Sequence, residues 1–346
     1  MSSKKIDIRS LKKNELIKFL NDFNYEPYRA QQILSRVNSQ QIDSFEKITN
    51  IPKDLIRLLD ENFFLSNTLI HQFQKSSDLT IKFSIKLHDN LIIEAVLIPT
   101  EKRITACVSS QVGCSLDCNF CATSRLKRIR NLESYEIYDQ IMLLNNESLK
   151  SFSKPISNIV FMGMGEPLLN YNNVIDSIDL ITGNQGLGIS KKKITLSTSG
   201  IYKMIKKMAD DNVKFNLAIS LHSAIEETRN QIMPFSKSFP LEKLIDSLEY
   251  WYSKTKIKIT FEYLVWKDIN DDFEHINALV KICKRIPSKV NLIEYNSIGD
   301  ERFISADQIW IDNYVNSLHE NNIQVSVRRS RGKDIDAACG QLANKH

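Results

Sequence analysis

Short apolar strands alternate with amphipathic helices through the second half of the sequence, and this alternation restricts the fold more than any other feature. The segments ISNIVFMG, KKITLSTS and KFNLAIS are each followed by a helical pattern. These helices are predicted to begin near Asn173, Ile201 and Leu241. IKITFEYLV, KVNLIEYN and IQVSVR continue the series, with helices predicted over 275–284 and 305–319, the second opening with a capping box at Ser305. Repeated βα units predict parallel strands covered by helices, either as an open sheet or as a barrel.

Polar residues at the ends of four strands favour the barrel. They are Gly163, Gly165 and Glu166 after the first strand, Ser197 and Ser199 after the next, Ser220 and His222 after the third, and Asn296 after the fourth. Ligands of βα folds bind at the carboxyl ends of the strands, and contributions from several strands are typical of a barrel or part of one. The alternative is that Ser, Gly and Asn merely favour turns.

The first 99 residues have a different pattern. A helical domain is predicted up to about residue 75, because Leu16, Ile17, Leu20 and Phe23 recur at helical spacing and Pro52 can begin a later helix. The basic residues near the start could contact a phosphate backbone or form a solvated helix face; they are Lys4, Lys5, Arg9, Lys12 and Lys13. LTIKFSIKL, LIIEAVLIP and ITACVSS then predict strands. The expected regions are 1–75 (helical accessory domain), 76–99 (β extension), 100–335 (core barrel) and 336–346 (C-terminal segment).

Composition limits the class of protein. The chain has 346 residues, enough for about two domains, and its 42% hydrophobic and 25% charged residues are ordinary globular values. No apolar run reaches a membrane-spanning length, and the charged N-terminus does not resemble a secretory signal, so we expect a cytoplasmic protein without membrane association. The net charge of +5 permits a nucleic-acid partner without demonstrating one.

Three cysteines within eight residues indicate a cofactor site. The stretch VGCSLDCNFCATS contains Cys114, Cys118 and Cys121. A disulfide needs two sulfurs and a closed structural zinc site needs four ligands, so three thiols leave one position open. In an iron–sulfur cubane, three cysteines would leave one of four irons free for a small molecule. Zinc with an outside ligand and three unrelated buried cysteines remain as alternatives.

Five ordered blocks carry a resemblance to a known family. The cysteine loop and MGMGEP resemble the radical S-adenosylmethionine (radical SAM) superfamily. ACVSSQVGCSLDCNFCATS, FMGMGEPLLN, TLSTSG, AISLH and DIDAACGQLA together resemble the RlmN family of dual-specificity RNA methyltransferases. The resemblance covers residues 94 to 343, and the N-terminal segment has the length and place of that family's accessory domain. It implies a partial (βα)6 barrel with a small N-terminal helical domain.

The resemblance also implies the cofactors and the residues that hold them. Cys114, Cys118 and Cys121 would ligate a [4Fe-4S] cluster whose open iron binds S-adenosylmethionine. The implied contacts to S-adenosylmethionine are Gly165, Glu166, Ser197, Ser220, Leu221, His222 and Asn296. Glu166 could accept a hydrogen bond from the amino group of this molecule, while Ser and Asn offer neutral hydrogen bonds.

A two-cysteine mechanism is implied for methylation of adenine carbon 2. Cys339 would take a methyl group, lose a hydrogen atom from it to a 5′-deoxyadenosyl radical, and add to the ring. Glu94, or a water that it activates, would remove the ring proton, and Cys107 would form a disulfide with Cys339 to release the product. From the residues alone, the favoured interpretation is that both cysteines are buried packing residues. Glu94 lies between apolar residues and could be a desolvated base or face water, and Cys283 is interpreted as structural.

The implied partners are 23S rRNA, tRNA and an electron donor such as flavodoxin, with the enzyme acting as a monomer. Basic runs on either side of the chemistry would supply phosphate contacts; they are Arg125, Lys127, Arg128 and Arg130, and Arg328, Arg329, Arg331 and Lys333. The sequence departs from the family in the basic stretch TSRLKRIRNL and in a shortened stretch after Asn296. One alternative is the antibiotic-resistance relative that methylates carbon 8 of the same rRNA adenine. Pro167 argues against this alternative. The other is a noncatalytic RNA-binding protein with structural zinc, against which Cys107 and Cys339 argue.

Overall fold

The fold was analysed in a computed structural model, which describes residues 5–39, 42–183 and 186–344. Lys4, in the predicted basic run, and residues 345 and 346 of the predicted C-terminal segment lie outside these ranges. Within them, every helix is too short or too polar to span a lipid bilayer.

The N-terminal part is a small helical unit with its own apolar core. It comprises β1 (Ile6–Asp7), α1 (Lys13–Asp22), α2 (Tyr28–Ser39), α3 (Lys53–Asn62) and β2 (Phe63–Phe64), and β1 pairs with β2 in parallel. Two of the apolar residues that were predicted at helical spacing, Leu16 and Leu20, are buried in the same apolar cluster as Leu55 and Leu59. Phe23 lies beyond the end of α1 and is exposed, so its predicted place on the apolar face was wrong.

Arg9 joins this unit to the rest of the chain. Its guanidinium donates hydrogen bonds of 3.1 and 3.0 Å to the carboxylate of Asp139 and two of 3.2 Å to the carboxylate of Asp7. It also donates to the Ser66 carbonyl at 2.8 Å. The side chain is 5% exposed. The expectation that Arg9 contributes to a solvated or phosphate-binding face was therefore wrong, because its charge is paired inside the protein.

A three-stranded antiparallel extension precedes the barrel. It contains β3 (Leu69–Lys75), β4 (Ile81–Lys86) and β5 (Ile92–Pro99). The helical prediction was wrong over β3, which is an edge strand of the large sheet. Six of its seven residues are exposed, so its sequence LIHQFQK lacks the alternation of apolar and polar residues that marks a half-buried strand.

The core has six βα units followed by a seventh parallel strand. In chain order its elements are β6 (Ile104–Cys107), β7 (Gln111–Val112), β8 (Arg130–Asn131), α4 (Ser134–Phe152), β9 (Asn158–Phe161), α5 (Tyr171–Thr182), β10 (Ile194–Thr198), α6 (Tyr202–Asp210), β11 (Asn216–Ser220), α7 (Glu226–Ile232), α8 (Leu241–Thr255), β12 (Ile259–Leu264), α9 (Phe273–Arg285), β13 (Ser288–Ile293), α10 (Gln308–Glu320) and β14 (Gln324–Arg328).

These strands form one continuous sheet with the extension. The order is β14-β13-β12-β11-β10-β9-β6-β5-β4-β3, and the pairs from β6 to β14 are parallel. Because β14 and β3 are the two edges, the barrel is partial, which confirms the predicted fold class. Parallel pairing places the carboxyl ends of the core strands along the same side, where the polar strand ends meet.

Three local predictions failed. The capping box at Ser305 was wrong, because Ser305 forms a β-bridge with Trp266 and α10 begins at Gln308 without a side-chain cap. The helix α4 was not predicted, although ten of its 19 residues are buried. The short pair β7 and β8, which flanks the cysteine loop, was also missed.

Candidate functional site

A cavity of about 160 Å³ lies at the carboxyl ends of the core strands. It brings together ten of the predicted site residues, which are Cys114, Cys118, Cys121, Gly165, Glu166, Ser197, Ser220, His222, Asn296 and Cys339. Leu221, Cys107 and Glu94 are not in its lining. The lining also includes Glu262 and Arg328, which sequence reasoning did not assign to the site.

The cysteine loop is shaped by a tight backbone approach and by hydrogen bonds within the loop. Gly113 has a φ of +76°, and a Cβ there would lie 2.4 Å from the carbonyl oxygen of Lys127, so only glycine fits. The Ser124 hydroxyl donates to the carbonyls of Cys118 and Cys121 at 2.6 and 2.7 Å. These contacts fix the backbone from which the thiols project into the cavity.

The three thiols line the same cavity, with Cys118 buried and Cys114 and Cys121 partly buried. Burial raises the pKa of Cys114 to about 12, and the neighbouring Cys121 raises it as well. Burial also raises the pKa of Cys118, with further contributions from Cys121 and Cys114. Among the described residues, no three His, Cys, Asp or Glu side chains converge as ligands of a single metal ion would. A [4Fe-4S] cluster binds each cysteine through a different iron, so three cysteines of one loop that line the same cavity fit it.

The glycine-rich turn after β9 positions Glu166. Gly165 has a φ of +95°, and a Cβ there would lie 2.5 Å from the side chain of Gln111. Gln111 in turn accepts a hydrogen bond of 2.9 Å from the Glu166 amide. The Glu166 carboxylate accepts from the amides of Leu168 at 3.1 Å and Ser199 at 2.8 Å, and burial raises its pKa. The Glu166 carboxylate lines the cavity, where it can accept from the donor groups of a ligand.

A buried arginine ties two strand ends together. Arg229 is fully buried and donates to the carbonyls of Ser199 at 2.6 Å, Leu221 at 2.8 Å and Ser220 at 3.3 Å. These carbonyls follow β10 and β11, so one guanidinium holds the ends of adjacent strands. Leu221 is likewise buried, and its amide donates to the Glu262 carbonyl at 3.1 Å. Its amide and its carbonyl are thus both bonded to protein groups.

His222 is a neutral buried residue. Burial lowers its pKa to about 3, and the charge of Arg229 acts in the same direction. Its Nδ1 accepts a hydrogen bond of 3.3 Å from the Leu264 amide, and its ring packs edge-on against Phe120. Its φ of +57° is unusual outside glycine and turns the chain back from β11. His222 therefore offers the cavity an uncharged ring.

Asn296 supplies an observation that fits a polar ligand. Its Nδ2 donates at 3.3 Å to the carbonyls of Glu294 and Cys339. Its Oδ1 is buried and has no hydrogen-bond partner within the described part of the chain. A buried carbonyl without a partner is costly, and the amino or hydroxyl groups of S-adenosylmethionine could donate to it. The residues that line the cavity thus fit both implied cofactors.

Cys339 and Cys107 lie near each other at the edge of this site. Cys107 is the last residue of β6 and is buried, and both burial and the neighbouring Cys339 raise the pKa of its thiol. Cys339 is exposed along the cavity, but protein surrounds its sulfur. This desolvation raises its pKa, Glu262 and Cys121 raise it further, and Arg328 lowers it.

Glu262 and Arg328 could have been found from the sequence in part. Glu262 is a carboxylate inside the apolar strand ITFEYLV, the same signal that singled out Glu94. It is buried and accepts a hydrogen bond of 2.9 Å from Asn291. Arg328 lies at the end of β14, with its guanidinium 3.6 Å from the Glu262 carboxylate. Because Arg328 lies in a basic run, the sequence placed it beside the chemistry without showing which residue of the run faces the cavity.

Glu94 is fully buried on β5, so the alternative in which it faces water was wrong. One carboxylate oxygen accepts from the amides of Ala343 at 2.8 Å and Asn344 at 3.1 Å. The other lies 3.5 Å from the Lys82 ammonium, an ion pair without a hydrogen bond. Cys283 is buried in α9, outside the cavity lining, in agreement with its structural interpretation.

Comparison with known families gives two matches that follow the two parts of the fold. Residues 108–280 match the radical SAM superfamily, and residues 6–65 match the ribosomal RNA large subunit methyltransferase N-terminal domain. The second match covers the helical unit from β1 to β2. Membership of the radical SAM superfamily implies a [4Fe-4S] cluster and S-adenosylmethionine as cofactors, in agreement with the cavity described above.

Similar proteins match over almost the whole chain. The chain is 59% identical over 345 residues to a "probable dual-specificity RNA methyltransferase RlmN" of Flavobacterium psychrophilum, covering 100% of this chain and 99% of the relative. A protein of the same name from Cytophaga hutchinsonii is 47% identical, with coverage of 99% and 94%. The crystal structure of a radical SAM methyltransferase from Sphaerobacter thermophilus superposes with a TM-score of 0.89 at 30% identity, covering 98% of this chain and 100% of that one. The chain therefore belongs to the RlmN family of radical SAM RNA methyltransferases.

Proposed function

We propose that this enzyme methylates carbon 2 of an adenine in 23S rRNA and in tRNA, with Cys339 as an intermediate methyl carrier. The observation that supports this most directly is that Cys339 lines the same cavity as the three cluster cysteines, with Cys107 close enough to interact electrostatically. Family membership sets aside the hypothesis of a noncatalytic zinc protein.

The cavity residues would divide into ligands and reacting groups. Cys114, Cys118 and Cys121 would hold the cluster, which when bound supplies an electron that splits S-adenosylmethionine into methionine and a 5′-deoxyadenosyl radical. The contacts to that cofactor would be Gly165, Glu166, Ser197, Ser220, Leu221, His222 and Asn296.

The sulfur of Cys339 would displace the methyl group of one S-adenosylmethionine, since a thiolate is a good nucleophile. A hydrogen atom of this methyl group would pass to the 5′-deoxyadenosyl radical, the methylene radical would bond to carbon 2 of the adenine, and the adduct would give up one electron, which the oxidised cluster could take back. Cys107 would then attack the Cys339 sulfur, the bond from that sulfur to the methylene carbon would break, and a proton would complete the methyl group, leaving a disulfide between the two cysteines. Burial raises the pKa of the Cys339 thiol, while Arg328 opposes this and favours the thiolate that the methyl displacement needs.

Glu94 would take the ring proton. Because Glu94 does not line the cavity, the proton would reach it through a bridging water or after residues 343–344 withdraw. The oxygen that faces Lys82 makes no hydrogen bond within the described residues and is the one available to accept a proton. Exposed basic residues after the cluster loop, including Lys127 and Arg128, would contact RNA phosphates. The target base must be unstacked to enter, which is easiest in RNA loops.

The cysteine roles can be tested by trapping the RNA. With Cys107→Ala, the bond between Cys339 and the base forms, but no thiol releases it. We expect RNA that stays attached to the protein through denaturation and is removed by nuclease. Cys339→Ala should give no such band. Release of methylated product by Cys107→Ala at the native rate would refute the role of Cys107.

The position of the methyl group needs a separate measurement. Mass spectrometry of rRNA and tRNA from cells with and without this protein should show the loss of 2-methyladenosine in its absence. A loss of 8-methyladenosine instead would identify the carbon-8 alternative.

A further inference from the structure

The segment that carries Cys339 is tied to three parts of the core. We call residues 337–344 the acceptor segment. Its hydrogen bonds reach the loop directly after Cys121, the loop after β13, and strand β5. The placement of the proposed methyl acceptor is therefore set by tertiary contacts, since the segment belongs to no strand or long helix.

The strongest ties run to the cysteine loop. The amide of Ala122 donates to the Gly340 carbonyl at 2.7 Å, and the hydroxyl of Thr123 donates to the Leu342 carbonyl at 2.6 Å. Thr123 is 4% exposed and lines the cavity. Leu342 is also buried, so without the hydroxyl its carbonyl would lose its partner in a place that water reaches poorly.

The other end of the segment is tied to β5. Ala343 and Asn344 both donate to one oxygen of Glu94, and the Asn344 side chain donates to the Ile92 carbonyl at 2.9 Å. Asn344 adopts a φ of +51°, which Asn tolerates better than most residues. Thus the segment is fixed on both sides of Leu342, and Cys339, whose carbonyl accepts from Asn296, immediately precedes Gly340.

We propose that Thr123 is a positioning residue for Cys339. Its hydroxyl joins the acceptor segment, which carries Cys339, to the loop that carries the cluster cysteines. When that loop is ordered, Thr123 holds the acceptor segment and keeps the Cys339 sulfur at the cavity. This inference rests on the proposed function only in the role it gives to Cys339.

Hydrogen exchange of the full-length protein tests the coupling without RNA or turnover. Thr123→Val keeps the shape of the side chain and removes the hydroxyl. We expect the amides of Ala343 and Asn344 to exchange about tenfold faster, because loss of a buried hydrogen bond lowers the free energy of local opening. Thr123→Ser retains the hydroxyl and should restore the native rate. If Thr123→Val does not fold, Thr123→Ala removes the same hydrogen bond.

Thr182→Val is the matched control. The Thr182 hydroxyl donates to the Ile178 carbonyl at 2.9 Å within α5, outside the cavity lining. This variant should leave the exchange of residues 343–344 near the native rate. Equal acceleration in Thr182→Val and Thr123→Val would overturn the specific role of Thr123, as would a native rate in the hydroxyl-free variants at position 123.

A second measurement tests whether the hydrogen bond of Thr123 affects the placement of Cys339. Peptide mass spectrometry of protein isolated from cells measures the fraction of Cys339 that carries a methyl group. We expect a severalfold lower fraction for Thr123→Val and a native fraction for Thr123→Ser. If Cys339 is never methylated even in the native protein, the proposed function fails. The exchange result still shows whether the Thr123 hydroxyl holds the acceptor segment. A native methyl fraction in Thr123→Val would overturn the positioning role.

Discussion

The N-terminal helical unit and the cavity end of the barrel differ in what they bury. In the first, a compact apolar core excludes water, and the buried charges of Asp7 and Arg9 pair with each other. At the cavity, Glu166, His222, Arg229 and Glu262 are all buried. Burying polar and charged groups costs free energy unless they are paired. The first region thus consists mainly of groups that stabilise the fold, and the second contains groups whose retention is explained by binding and chemistry.

The largest expected effect is the loss of the cluster when a cysteine of the cavity is replaced. Cys118→Ala should abolish cluster binding and RNA methylation while the protein stays folded, because the thiol lies in a loop at the cavity. Iron and sulfide analysis, together with a thermal unfolding curve, measures both effects. Cys283→Ala is the control, since Cys283 is buried in α9 and should cost stability while leaving iron content unchanged. Native iron content and turnover in Cys118→Ala would contradict the cluster assignment.

Arg9 tests how strongly its contacts stabilise the N-terminal helical unit against the rest of the chain. Arg9→Ala leaves Asp139 buried without its partner, and we expect the free energy of unfolding to fall by about 3 to 5 kcal/mol. Urea unfolding followed by circular dichroism measures this loss. The control is Arg57→Ala, because the Arg57 side chain is 76% exposed and its ion pair should contribute less than about 1 kcal/mol. Similar losses in both variants would show that the Arg9 contacts do not join the two regions strongly.

His222 predicts a dependence on pH that belongs to the cavity. Its folded-state pKa, lowered to about 3 by burial, lies below the unfolded value near 6.5. Its contribution to stability is therefore present above pH 6.5 and is lost as the pH falls, because the unfolded chain takes up a proton that the folded chain excludes. Between pH 7 and pH 5 the loss should be about 2 kcal/mol. Urea unfolding at both pH values measures the change in the free energy of unfolding between them. This change should be smaller by about 2 kcal/mol for His222→Asn than for the native protein. Equal changes would mean that His222 is charged when folded.

The smallest expected effect concerns RNA binding by the helical unit. Lys13 and Lys18 are exposed on α1, and replacing both with Gln should weaken RNA binding severalfold and reduce its salt dependence. Binding titrations at several salt concentrations measure this, with cleavage of S-adenosylmethionine as a control that should not change. An RNA affinity that is unaffected at physiological salt would argue that this unit does not face the RNA.

The polar strand ends and the cysteine loop could be predicted because each signal lies within a short stretch of sequence. Gly165, Ser197, Ser220 and Asn296 each end or follow an apolar run, and parallel strands bring such positions together. The strand β3 could not be predicted in this way, since nearly all of its residues are exposed at a sheet edge. The bonds between Glu94 and Ala343 or between Thr123 and Leu342 join residues more than 200 positions apart, and no local pattern records them.

The hydrogen bonds between Glu94 and residues 343–344 also bear on the order of events during synthesis. Residues 343–344 leave the ribosome after every strand of the large sheet, so strands β3 to β13 can pair before these amide donors emerge. Until then the charged partner of Glu94 among the described residues is Lys82. The carboxylate therefore stays incompletely satisfied until residues 343–344 emerge, and Cys339 emerges in the same short interval as the amides that complete the Glu94 site.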